Sequence, residues 1–155
     1  RHPDTLTSMN NLGLLLEAKG KYDEAEPLFR EDLEVSRETL GNRHPSTLTS
    51  IINLGTLLMA KGDLAAAEPL LREALEVARE TLGNRHPDTL GSINNLGKLL
   101  KEKGDLAAAE PLLREAMEGR SETLGRGHPS TLASINDLCA LLQKMSDLTV
   151  AIYLY

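Results

Sequence analysis

Four short blocks, His2-Pro3-Asp4-Thr5-Leu6, His44-Pro45-Ser46-Thr47-Leu48, His86-Pro87-Asp88-Thr89-Leu90 and His128-Pro129-Ser130-Thr131-Leu132, recur at a strict spacing of 42 residues. A fixed period of that size restricts the chain to a solenoid or array, in which each unit packs only on its neighbours and there is no single central core. Length therefore sets no domain count. The 155 residues divide into repeats at about 2–43, 44–85 and 86–127 with a partial repeat at 128–155, together one array over 1–155. The second and third repeats are identical at 30 of 42 places, which separates positions that pack from positions that drift.

Within one repeat the pattern predicts two helices. Pro45 suits a first helical turn, Ser46 or its equivalent Asp4 adds a capping or acidic group, and Leu48, Ile51, Leu54, Gly55 and Leu58 share one face. This helix A stops at Lys61-Gly62, where the glycine can take the left-handed cap conformation. Asp63 can cap helix B, whose apolar face runs Leu64, Ala67, Leu71, Ala74, Leu75, Ala78 and Leu82 before Gly83. So short a turn makes the pair an antiparallel hairpin. Pro69 would ordinarily break helix B. The apolar spacing continues through it without a change of phase, and Pro27 and Pro111 hold the same place, so one continuous helix is expected.

Composition narrows the function. A net charge of −6 and a pI near 5.2 argue against nucleic acid as a partner, because phosphate binding needs clustered Lys and Arg. With 3% aromatic residues the packing rests on Leu and Ala. The single cysteine, Cys139, excludes an internal disulfide framework and a cysteine-based zinc site, and favours a reducing compartment, with the cytoplasm as the expected location. No apolar run approaches the roughly 18 residues of a membrane span. Arg1 precedes His2 as Arg43 precedes His44, so no signal peptide and no membrane partner are expected, and the chain reads as a piece of a longer array.

The order helix A with Leu54-Gly55 and Leu58, the turn at Gly62, then Leu64, Ala67, Leu71 and Ala74 resembles the tetratricopeptide repeat. The unit exceeds the usual 34 residues by about two helical turns. Its HP-x-T-L start, A-E-P-L-x-R-E and E-T-L-G resemble the kinesin light chain type. The resemblance covers essentially the whole chain, with departures: the usual proline near the end of helix B is absent, and Ser146 stands where the fourth unit should have a glycine. It implies an all-α, right-handed α-solenoid of stacked antiparallel hairpins, a tetratricopeptide-like superhelix whose A helices line a concave groove that holds peptides or partner segments.

No H-E-x-x-H, phosphate-binding glycine loop, C-x-x-C or close Cys/His pair is present, so no enzyme and no cofactor are expected. The histidine row His2, His44, His86 and His128 suggests a metal site less than a loop-fixing role. Helices pack roughly 8–10 Å apart, against a metal–nitrogen bond of about 2 Å. Cys139 stands where Gly13, Gly55 and Gly97 stand, and is expected as a small buried side chain at a tight crossing.

By similarity to peptide-binding grooves of the family, the candidate site is the row Asn10, Asn11, Asn53, Asn94, Asn95 and Asn136, since an amide can both donate to and accept from an extended backbone. Lys98 and Lys101, which replace Thr56 and Met59 of the second repeat, join it. The alternative is that these amides only bond neighbouring helices or solvent. Glu26/Arg30, Glu68/Arg72 and Glu110/Arg114, each four apart, read as a solvated outer face. A non-catalytic protein-interaction scaffold binding a peptide is the first expectation. The alternatives are a structural self-associating array, or a sensor or adaptor arm of a larger signalling or motor-associated protein. The apolar tail with Val150, Ile152, Leu154 and two tyrosines suggests self-association through the C-terminal edge.

Overall fold

A computed structural model describes the backbone of residues 3–154 and the side chains of residues 5–149. The described residues form seven helices and no strand: α1 (Pro3–Ala18), α2 (Tyr22–Leu40), α3 (Pro45–Lys61), α4 (Leu64–Leu82), α5 (Pro87–Lys103), α6 (Leu106–Leu124) and α7 (Pro129–Leu154). Odd-numbered elements are the A helices, and α2, α4 and α6 are the B helices. The chain divides into two compact units, Arg1–Thr81 and Leu82–Tyr155.

A histidine sets the start of α3, α5 and α7. His44 and His86 hold extended backbone (ψ 140° at both), the conformation that a following proline imposes, and Pro45 and Pro87 then open the helix. The imidazole Nδ1 accepts the backbone N–H two residues on: Ser46 at 3.1 Å, Asp88 at 3.2 Å and Ser130 at 3.1 Å. This corrects the assignment of the cap to Ser46, whose main chain is the donor; the side chain of Asp4 and all of His2 lie outside the described residues. Capping side chains are worth about 0.5–2 kcal/mol. His86→Ala should therefore lower the second unit's stability by that amount in urea unfolding, and His86→Asn, a good cap, should restore most of it.

A helices end as expected. Gly62 (φ 85°) and Gly104 (φ 87°) are left-handed, and the next N–H, of Asp63 or Asp105, reaches back to Leu58 O or Leu100 O at 2.9 Å. The same aspartates cap α4 and α6, accepting from Ala66 N and Ala108 N at 3.2 Å, whereas α2 has Lys21 at that place and no side-chain cap. Helix B runs unbroken through Pro27, Pro69 and Pro111. Leu48, Ile51, Leu54 and Leu58 of α3 and Ala67, Leu71, Ala74 and Ala78 of α4 are buried. Glu26–Arg30, Glu68–Arg72 and Glu110–Arg114 pair at 2.7 Å, with the arginines exposed but the glutamates largely covered, and Glu26 is also held by Lys61 of α3 at 2.6 Å, so the pairs are only partly the solvated face expected.

The fourth repeat departs from expectation. In place of the two helices that a repeat should have, the partial fourth repeat forms one helix, α7, of 26 residues. No described residue other than glycine has positive φ, and Ser146, where a glycine is needed, gives the chain no inexpensive left-handed stop. Cys139 is consequently exposed, not buried. No helix doubles back over it as α4 does over Gly55 and α6 over Gly97. The side chains of Val150, Ile152, Leu154 and both tail tyrosines lie outside the described residues.

Candidate functional site

The asparagine row resolves into two kinds of position. In the first unit the amide of Asn53 on α3 donates to Asn10 Oδ1 on α1 at 2.7 Å. The second unit repeats the contact two repeats on: Asn94 Nδ2 on α5 donates to Asp137 Oδ2 on α7 at 2.9 Å. In both, the first Asn position of one A helix meets the second of the next, and the two partners are 43 residues apart. Asn94 is buried and also accepts from Ser134 Oγ at 3.3 Å. Asn95, Lys98 and Lys101 are half-buried, and Asn11 and Asn136 are exposed. One amide–amide bond uses one of two N–H groups of Asn53 and one lone pair of Asn10, which leaves hydrogen-bonding capacity on both.

Arg120 on α6 braces the second unit's contact. Its Nη1 donates to Ser134 Oγ at 2.7 Å and to Ser130 O at 3.2 Å. Desolvation by burial pulls its guanidinium below the ordinary arginine value, and the nearby Asp137 carboxylate opposes that.

The first unit holds a feature that residue types alone do not reveal. A cavity of about 250 Å³ opens between α1, α2 and α3, with Asn10, Asp32, Ser36, Ser46, Thr49 and Ser50 supplying polar groups to its wall. Asp32 is 4% exposed, and its Oδ2 accepts from Ser50 Oγ at 2.6 Å. Ser36 Oγ lies 3.5 Å from Ser50 Oγ. Burial pushes the Asp32 carboxyl above the usual carboxylate range, and the Ser50 bond pulls the other way. Aligning the repeats at 42 residues gives the signal that marks this place. Positions 32, 74 and 116 read Asp, Ala, Ala, and positions 36, 78 and 120 read Ser, Ala, Arg. Polar residues there break an otherwise apolar face.

His44, His86 and His128 serve as helix caps. Among the described residues no group of three or more His, Cys, Asp or Glu could hold a metal ion, and no helix is long and apolar enough to cross a membrane.

Family models described as tetratricopeptide repeat match residues 48–122, 90–155 and 5–46. Among solved structures, the nearly identical TPR-like repeats of a putative kinesin light chain from Podosopora anserina are similar at 29% identity and a TM-score of 0.87, covering 99% of this chain and 73% of that one. BtubC (BKLC) from P. vanneervenii is 24% identical with a TM-score of 0.83, covering 96% of this chain and 60% of that one. The Yersinia enterocolitica type III secretion translocator chaperone SycD shares the fold at 18% identity and a TM-score of 0.70, covering 94% and 89%. No curated protein sequence matches the chain.

Proposed function

This chain belongs to the tetratricopeptide repeat family, of the kinesin light chain-like kind, and from that premise we propose that it is a non-catalytic protein-interaction scaffold. Its ligand is a peptide segment held in extended form against the asparagine-bearing faces of the A helices. The observation that carries this reading is the recurring amide contact, Asn10–Asn53 in one unit and Asn94–Asp137 in the other. The Asn10–Asn53 contact fixes two half-buried amides in orientation while leaving them donors and acceptors for a peptide main chain, and in the second unit the half-buried Asp137 offers the acceptor, since Asn94 is buried. Asn11 adds to this surface in the first unit, and Asn95, Asn136, Lys98 and Lys101 add to it in the second. The partner is a protein, not nucleic acid, and the single cysteine suits a reducing compartment such as the cytoplasm.

The test uses peptides selected from a random displayed library on the intact chain. Asn53→Ala with Asn95→Ala should weaken the selected peptides while helicity by circular dichroism stays constant. Each lost amide bond is worth about 0.5–1.5 kcal/mol, roughly two- to ten-fold in Kd. Protection of α4 and α6 around Arg72 and Arg114 by the bound peptide, in place of the A helices, would move the site to the outer face and sink the reading.

A further inference from the structure

We propose that the cavity over Asp32 is a specificity pocket that takes the guanidinium or ammonium end of an Arg or Lys side chain of the bound peptide. The proposal rests on the peptide-binding reading above and names the side chain that one part of that surface selects.

The first argument compares repeats. Asp32 occupies the place of Ala74 and Ala116, both fully buried, so the helix packing at this position is satisfied by a methyl group. An acid there is not required by the fold. It is also costly, because a carboxylate withdrawn from water needs a counter-charge or several hydrogen bonds. Ser50 supplies one bond, and Ser50 itself already has Ser46 O at 3.0 Å as an alternative partner. Among the described residues that line the cavity there is no Lys, Arg or His. A cationic group of a bound ligand would supply that counter-charge.

The second argument is size and lining. About 250 Å³ falls below the roughly 300–1,000 Å³ of drug-sized ligand pockets, and suits one side chain. Leu6 and Leu40 offer apolar wall for an aliphatic stem, while Ser36, Ser46, Thr49 and Asn10 offer oxygen acceptors around Asp32. That combination, a charged end among acceptors and a methylene stem on leucine, matches Arg and Lys and disfavours acidic or purely aliphatic side chains. Asn10 borders this cavity and also accepts from Asn53. A peptide main chain bonded to that amide pair would therefore lie beside the pocket mouth. The net charge of −6 favours approach of a cation.

The experiment titrates the isotopically labelled intact chain with N-acetyl-arginine methylamide, and with N-acetyl-norleucine methylamide as the uncharged control, following backbone amides by NMR. The arginine probe should shift Asn10, Asp32, Ser36 and Ser50 saturably, and the norleucine probe should not. Asp32→Asn, which keeps the shape, should weaken the arginine probe by about ten-fold or more. Asp32→Ala should abolish the response and leave the thermal midpoint unchanged or higher. Equal shifts from both probes, or no cation-dependent shift at these amides, would overturn the proposal. So would a large fall in thermal midpoint for Asp32→Asn, since the acid would then be holding the fold together. An Asn53→Ala chain that loses its selected peptides yet keeps the arginine response separates the peptide reading from the pocket.

Discussion

Phe29→Ala should cost the first unit about 3–5 kcal/mol, the largest effect of any single substitution considered. Phe29 is the sole phenylalanine, fully buried on α2, and it meets α1 where that helix has Gly13. The fit is close enough that a Cβ on Gly13 would stand 2.6 Å from the ring's Cε1. Truncation removes the aromatic surface and leaves a cavity that a helix pair joined by a short turn cannot close. Phe29→Leu should be far milder, about 1.5 kcal/mol or less, because Leu71 and Leu113 fill the same place opposite Gly55 and Gly97. Small proteins are stable by only about 5–15 kcal/mol. Loss of amide-exchange protection in α1 and α2 is the sensitive readout, since repeat arrays open unit by unit. Protection unchanged in Phe29→Ala would mean that the first hairpin is held by something other than this contact.

Gly97→Val should destabilise the second unit by about 1–3 kcal/mol or more, whereas Cys139→Val, at the same repeat position, should change stability by about 0.5 kcal/mol or less. At Gly97 a Cβ would sit 2.7 Å from Leu113 Cδ2 and 2.8 Å from its Cγ, with Leu112 Cβ at 3.4 Å. The terminal methyl could rotate away, but the Cγ branch point is fixed by its own packing. A β-branched side chain adds two more groups to the same gap. Cys139 is exposed, with no returning helix against it. Parallel urea titrations of the two variants make the comparison internal to one molecule. Equal costs would mean that the repeat position, and not the helix crossing it, sets the penalty.

Periodicity makes the helices and their ends legible in the sequence, because those depend on local chemistry: Gly62 and Gly104 at the stops, Asp63 and Asp105 at the starts, an unbroken apolar face through Pro69. A repeat position does not carry its environment with it in the same way. Alignment with Gly55 and Gly97 predicts a buried Cys139, yet burial there comes from the returning helix, and the missing glycine at Ser146 removes that helix. Ser and Asp are the usual capping residues, which hides the histidine's part in the cap. For the candidate site, the asparagines stand out as residue types, but which amide meets which is a matter of register. Asp137, partner to Asn94, occupies an asparagine position and escapes a search for amides because it is an acid. By residue type Asp32 is one more charge on helix B; its burial is a property of the packing around it.

The histidine and aspartate caps and the left-handed glycines all find their partners within about one turn of chain. The second and third 42-residue segments thus carry their own start and stop instructions, independent of what lies next to them. A duplicated or deleted segment, if cut in register, would arrive with its joints already specified, so the number of repeats can drift during evolution without redesign of any turn. The same locality keeps the sequence separation between contacting residues small, so a hairpin can form quickly by itself and serve as the template on which its neighbour orders.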